Sequence, residues 1–191
     1  DATDAAQIAE AHRHLLAAWG GIDLVVYLAG DYTPMQVKTF DLARAEQVVE
    51  VNFSGALRLA ATVLPSLSEG SGLALVASVA GYRGLPKALC YGPGKAALIH
   101  LAECLHLELA PRGIGVWLIN PGFVQTRLTA QNEFAMPALM TPDAAADAMI
   151  RGFATGHFEI HFPKRFTGLL KLVSRLPYRW YFPLIRRFTG G

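Results

Sequence analysis

Little in this sequence serves disulfides, metals or a membrane span. Its two cysteines, Cys90 and Cys104, share no ligand or disulfide spacing, so a disulfide framework is excluded and both read as reduced core residues. None of the six histidines has ligand partners at a convincing spacing, and no metal centre is expected. No run reaches the ~18 to 20 apolar residues of a spanning helix. No leading secretory segment is visible either, so cytoplasmic residence is the expectation. A Gly-rich turn joining a strand to a helix is also missing. The glycine pairs Gly20-Gly21, Gly70-Ser71-Gly72 and Gly113-Ile114-Gly115 precede strands and read as ordinary turns. Since the first residue is Asp1 and not methionine, the expectation is a chain that starts inside a domain, short of two strand–helix units, about sixty residues at roughly thirty each.

The composition that remains is globular. With 191 residues, 52% hydrophobic and 17% charged, the chain can bury a sizeable core and has no low-complexity stretch. Helical and strand patterns alternate. Helices are expected over Asp4 to Trp19, Asp41 to Leu64, Cys90 to Ala110 and after the Thr141-Pro142 cap, with strands over Asp23 to Leu28, Leu73 to Ser78, Gly115 to Asn120 and Phe158 to Phe162. Such alternation predicts an α/β fold, a Rossmann-like parallel sheet with helices on both faces. The domain is expected over 1–163, followed by a distinct segment, 164–191.

Four polar residues stand out against this frame. Ser78 ends the buried strand pattern Gly72 to Ser78, and thirteen residues later Tyr91 opens a helix with Lys95 one turn on. Pro93 places Tyr91 at a helix start, since proline is tolerated only in the first turn. Six tyrosines and five lysines give about 0.16 chance matches to Tyr-x-x-x-Lys in a chain of this length, so the context carries the reading. An ammonium beside the phenol would favour phenolate and bring a group that titrates near ~10 towards neutral pH, where a general acid or base works best. Asn52 lies on a stripe with Leu42, Ala45, Val49, Ala56, Leu59 and Val63. A buried amide there is either a satisfied structural asparagine or a holder of ordered water.

With Asn52, Ser78, Tyr91 and Lys95 in this order, the chain resembles the short-chain dehydrogenase/reductase family from Asp1 to about His161. Asp1-Ala2-Thr3-Asp4 is similar to the loop after the family's third strand. Leu28-Ala29-Gly30 is similar to its Asn-Ala-Gly turn, with Leu28 in place of asparagine and one polar tie near the cofactor lost. Asn120-Pro121-Gly122-Phe123-Val124-Gln125-Thr126 resembles its Pro-Gly turn beside the nicotinamide. The resemblance implies NADP or NAD as cofactor and hydride transfer between a carbonyl and an alcohol. It also implies Asn52, Ser78, Tyr91 and Lys95 as catalytic groups, with Asp1, Ala29, Gly30, Tyr91, Lys95, Pro121, Gly122, Val124 and Thr126 at the cofactor. In the family's sheet order, Ile22 to Leu28 would carry an open apolar edge prone to association, and a homo-oligomer is a possible state. A rival is a Rossmann-like binding or scaffold protein that keeps these residues as relics. An epimerase or dehydratase acting on nucleotide sugars shares the Tyr/Lys pair but has a larger substrate domain.

Two segments remain. Residues between Thr126 and Thr141, with Leu128, Phe134, Met136 and Met140, read as a lid over a small apolar substrate or as a surface loop. After Glu159 no acidic residue occurs, while seven basic ones do, so residues 1–159 carry net −5 and the remainder +7. Interleaved aromatic and aliphatic residues give 164–191 the composition of a segment lying on an anionic membrane. The alternative is an element that packs on a partner subunit or closes the pocket; nucleic acid ranks below both.

Overall fold

The computed structural model describes residues 1–132 and 134–189. Glu133, within the expected lid, and the terminal Gly190 and Gly191 lie outside the described residues. Four strands, β1 (Leu24–Tyr27), β2 (Gly72–Val76), β3 (Gly115–Pro121) and β4 (Glu159–Phe162), form one parallel sheet in the order β1-β2-β3-β4. Leu24 pairs with Gly72, Gly72 with Gly115, and Leu118 with Glu159. Parallel neighbours need crossovers, and these are α2 (Leu42–Val49) with α3 (Gly55–Val63), α4 (Tyr91–Leu109) and α5 (Pro142–Ala154). An N-terminal α1 (Ala5–Trp19) precedes the sheet, with the Asp4 carboxylate accepting from the Ala6 and Gln7 N–H groups at its start.

Alternation along the strands divides the core in two. Leu73, Leu75 and Ala77 face Ala56, Ala60 and Val63 of α3 and Leu98 and Ala102 of α4. Ala74, Val76, Ile119, Ile160 and Phe162 form the opposite face, against Ala145 of α5. On that side Leu24 and Val26 of β1 are 40% and 37% exposed, and β1 pairs with only β2 among the described residues. Of the two cysteines, Cys90 is buried with its sulfur 3.5 Å from the Met35 sulfur, whereas Cys104 lies exposed and is no core residue.

The helix expected over Asp41 to Leu64 is interrupted by a π-helical turn, Glu50–Ser54. The wider turn rotates α3 about the helix axis relative to α2, so the buried line runs through Ala45, Val48, Asn52, Ala56, Ala60 and Val63. Leu42 and Val49, placed on the buried stripe by straight-helix spacing, are instead 61% and 37% exposed. The Tyr27 hydroxyl donates to the Val51 carbonyl inside this turn, at 2.5 Å. Gly55 leaves room for that hydroxyl: a Cβ there would stand 2.3 Å from Tyr27 Oη and 2.6 Å from the Ala2 carbonyl oxygen. Gly55→Ala is therefore expected to destabilise the fold by roughly 1–3 kcal/mol despite alanine's better helix propensity. Equal or higher thermal stability in that variant would contradict this packing.

Beyond β4 the chain forms α6 (Lys164–Ser174) and α7 (Tyr178–Thr189). Lys171 of α6 pairs with Glu159 of β4, and the Thr167 hydroxyl donates to the Pro163 carbonyl. α6 is thus tied to β4.

Candidate active site

Because all four strands are parallel, their carboxyl ends lie along one edge, where open α/β sheets bind ligands. Ala29 and Gly30 follow β1, Ser78 follows β2, and Pro121 and Gly122 close β3. Ser78 is 9% exposed and caps a single 3-10 turn, Val79–Gly81, its Oγ accepting from the Ala80 N–H at 3.1 Å. Gly81 lets that turn rest on α4; a Cβ there would lie 2.8 Å from the Lys95 carbonyl carbon. The chain then returns at Tyr91, the first residue of α4.

Tyr91 packs edge-on against Tyr32, with ring centroids 5.0 Å apart. Burial pushes its phenol above the ordinary tyrosine value; hydrogen bonding by Ser78 pulls it back, and Tyr32 pushes it further up. Lys95 Nζ stands 5.8 Å from the centre of the Tyr91 ring, on the face that the four-residue spacing predicts. The expected lowering of the phenol by Lys95 is not what the site displays. The ammonium turns towards the sheet and donates to the Val76 carbonyl at 2.9 Å, and burial of the phenol dominates. Lys95 itself is 3% exposed, and burial lowers it to about 8.

Asn52 is fully buried within the π-helical turn. Its Nδ2 donates to the Asp31 carbonyl at 2.6 Å and the Val48 carbonyl at 2.8 Å, while Oδ1 accepts from the Asp31 N–H at a long 3.4 Å. A Cβ at Gly30 would meet that Oδ1 at 3.4 Å, Lys95 Nζ at 3.7 Å and Leu128 at 3.8 Å. Gly30, Asn52 and Lys95 thus surround one small space.

Opposite them, the Gly122 N–H donates to the Phe162 carbonyl at 2.7 Å, and a Cβ on Gly122 would come within 3.0 Å of Phe166. Val124 forms an isolated parallel bridge with Met140, and the Thr129 hydroxyl donates to the Val124 carbonyl at 2.6 Å. Thr126 is exposed, its N–H donating to Thr129 Oγ1 at 2.9 Å. Asp1 is exposed as well, accepting from the Thr3 N–H and hydroxyl. Leu28 is 66% exposed.

Several neighbours of the site carried no sequence signal strong enough to single them out. The Tyr32 hydroxyl donates to Asn132 Oδ1 at 3.0 Å, tying the loop after β1 to the segment expected to be a lid; an aromatic two residues beyond the Gly30 turn was the available cue. Phe123 packs against Phe134 from that segment and against Phe166 of α6. Glu159 accepts from the Tyr82 hydroxyl and the Asn120 amide, both at 2.8 Å. Burial pushes its carboxyl up, but the bonds from Lys171, Asn120 and Tyr82 outweigh this and hold it below the usual carboxylate range. Tyr82 is raised by its burial and by the carboxylate.

Comparisons with known proteins bear on the fold and the family. Among curated proteins, an uncharacterised oxidoreductase of Myxococcus xanthus is 36% identical over 179 residues, covering 93% of this chain and 71% of the relative. An uncharacterised oxidoreductase of Staphylococcus aureus is 28% identical over 152 residues, or 78% of this chain and 66% of the relative, just under two thirds of its length. Among solved structures, a short chain dehydrogenase from Burkholderia cenocepacia in complex with NADP aligns at a TM-score of 0.80 and 23% identity, over 90% of this chain and 72% of that one. A mutant short-chain dehydrogenase/reductase of Serratia marcescens gives 0.74 and 20%, over 85% and 72%. The family model for short chain dehydrogenase matches residues 1–136. That span takes in the serine strand, the tyrosine helix and the Pro-Gly turn alike, and the chain belongs to the short-chain dehydrogenase family.

Proposed function

We propose that this chain is the catalytic part of an NAD(P)-dependent oxidoreductase that interconverts a carbonyl and an alcohol. The convergence of Ser78, Tyr91, Lys95 and Asn52 at the carboxyl edge of the sheet carries this reading. The residues fit the nicotinamide end of such a cofactor: Gly30 leaves open a space that a side chain would fill, Lys95 and Asn52 border it, and the Pro121-Gly122 turn ends β3 at the same sheet edge. Ala29, Gly30, Tyr91, Lys95, Pro121, Gly122, Val124 and Thr126 would hold the cofactor, with Asp1 at the same edge. Either NADP or NAD is compatible; the Burkholderia neighbour holds NADP. The cofactor, when bound, supplies the hydride.

In the reductive direction the Tyr91 phenol delivers a proton to the substrate oxygen, and in the oxidative direction it receives one. Its raised pKa keeps it protonated at neutral pH, the form that reduction requires. Ser78 orients the substrate oxygen with its hydroxyl hydrogen while its Oγ is steadied by the Ala80 N–H. Lys95 is mostly cationic at neutral pH and would help hold the cofactor's nicotinamide end. Asn52 has committed its Nδ2 to two carbonyls, which leaves the loosely bonded Oδ1 to hold an ordered water for proton relay. The aromatic group Phe123, Phe134 and Tyr32 favours a small apolar carbonyl or alcohol as substrate.

The test is a panel of apolar ketones and aldehydes with NADPH and NADH, followed at the nicotinamide absorbance. Cofactor binding without turnover of any of them would favour a binding or scaffold role.

Beside this reading we propose a cytoplasmic location, peripheral membrane contact through the basic C-terminal segment and a homo-oligomeric state. No described helix is long and apolar enough to cross a membrane. Exposed Leu169, Leu172, Trp180, Phe182 and Phe188 accompany exposed arginines on α6 and α7, which supports a segment lying on anionic lipid. Co-sedimentation with phosphatidylglycerol vesicles should exceed that with phosphatidylcholine vesicles and fall when Arg179, Arg186 and Arg187 are changed to glutamine. Equal binding by the triple variant would remove the membrane assignment.

A further inference from the structure

We propose that Arg83 is a positioning residue that fixes the loop carrying Ser78 by clamping it to the C-terminal helices, so that α6 and α7 complete the active site. The proposal rests on the functional reading above for the role of Ser78, and on a set of contacts that reading does not use.

Residues 79–90 join Ser78 to Tyr91, and three successive residues of this connection are each bound to an element beyond β3. The Tyr82 hydroxyl donates to Glu159 of β4, which is paired in turn with Lys171 of α6. Arg83 donates from Nη1 to the Ser174 carbonyl at 2.6 Å and to the Leu176 carbonyl, where α6 ends. The Ser174 carbonyl is one that the helix end leaves without an intrahelical partner, and Leu176 lies in the link from α6 to α7. The Gly84 carbonyl accepts from the Tyr181 hydroxyl at 2.8 Å.

The guanidinium does more than cap. It lies 4.2 Å from the centre of the Tyr178 ring and 4.3 Å from that of Tyr181, so one side chain joins the end of α6 to the start of α7. Tyr181 is 2% exposed, the largest fully buried side chain among the described residues. A planar cation suits this place because it bonds carbonyls along its edge while its faces meet rings, which an ammonium does less well.

The other side of the loop is fixed on catalytic ground. The turn Val79–Gly81 packs against the backbone of Lys95, where a Cβ on Gly81 would clash. The loop is therefore held between α4, which carries Tyr91 and Lys95, and the C-terminal pair, with Ser78 at its root. Releasing the outer clamp leaves the loop held on its α4 side and by the Tyr82–Glu159 bond, with the connection beyond residue 82 free to shift.

The test compares the full chain with Arg83→Met, which keeps an apolar stem and removes the cation, and with Tyr181→Phe, which deletes only the hydroxyl bond to Gly84. Hydrogen exchange is read first, because it needs no turnover. Amides of residues 79–90 should exchange at least about tenfold faster in Arg83→Met, and to a lesser degree in Tyr181→Phe, while β2 and β3 stay protected. Faster exchange confined to 164–189, with 79–90 unchanged, would overturn the proposal, as would unchanged exchange in both variants. Should Arg83→Met fail to fold, Tyr181→Phe alone decides by the same criterion.

The second readout is kinetic. With a substrate from the panel, the variants should lose kcat while the KM for NADPH stays near the wild-type value. The pH profile should also move, since a displaced Ser78 changes the surroundings of the Tyr91 phenol, which packs against the Tyr32 ring on the loop after β1 with Lys95 the charged group facing it from α4. A clamp of purely structural importance would lower thermal stability and leave the profile in place, which would contradict the assignment. If the wild type turned over no substrate, the functional reading would fail while the exchange result still judged the clamp.

Discussion

Tyr91→Phe should lower turnover by roughly 10²–10⁴-fold, the usual contribution of a positioned acid or base, with NADPH affinity changed less than about twofold. The phenylalanine ring keeps the edge-on packing against Tyr32 and the place at the first turn of α4, so only the proton is removed. In the wild type, alcohol oxidation needs the deprotonated phenol and should rise with pH across the alkaline range. Carbonyl reduction needs the protonated form and should stay level through neutral pH. Wild-type turnover in Tyr91→Phe, measured by initial rates with saturating NADPH, would remove the assigned acid.

Lys95→Met should abolish most turnover and also change how stability depends on pH. Burial lowers Lys95 from 10.5 to about 8. Below pH 8 the folded state carries a desolvated ammonium, which penalises folding. Between about 8 and the unfolded value the unfolded chain binds more protons than the folded one, so stability gained by the wild type rises with pH. A shift of this size corresponds to about 3 kcal/mol, relieved across that window. Methionine has no such dependence but leaves the Val76 carbonyl without its donor, a cost of roughly 1–3 kcal/mol that does not vary with pH. The difference in unfolding free energy between the two proteins should therefore move by about 3 kcal/mol in favour of the wild type from pH 7 to pH 11. Urea unfolding at a series of pH values measures it; a flat difference would mean that Lys95 is not desolvated in the folded chain.

Much of this arrangement is legible in the residues. The apolar runs Leu24 to Tyr27, Gly72 to Val76 and Gly115 to Pro121 are strands within a residue or two of their expected limits, because buried parallel strands announce themselves as continuous hydrophobic stretches. Pro93 and the caps at Asp4 and Thr141 fix helix starts for local reasons, and local reasons survive without coordinates. The order of Ser78, Tyr91 and Lys95 likewise carries the site to one sheet edge.

Features that spacing misplaces depend on contacts distant in the chain. The π-helical turn at Glu50–Ser54 is supported by Tyr27, more than twenty residues away, so a straight-helix reading puts Leu42 and Val49 on the wrong face. Tyr91 and Lys95 share a face as their separation requires, but the direction of the ammonium is set by the Val76 carbonyl on another element. Composition marks residues 164–191 as basic and amphipathic; it says nothing of Arg83, whose carbonyl partners lie 91 and 93 residues downstream.

The most direct measurement uses NADPH carrying deuterium at the transferable C4 position, a carbonyl substrate from the panel, and mass spectrometry of the alcohol formed. The wild type should place one deuterium on the carbinol carbon, while Tyr91→Phe, with the cofactor still bound, should form almost no labelled product. Labelled alcohol formed equally by both proteins, or no labelled alcohol from the wild type with any substrate and cofactor, would contradict a hydride-transferring site built on Tyr91.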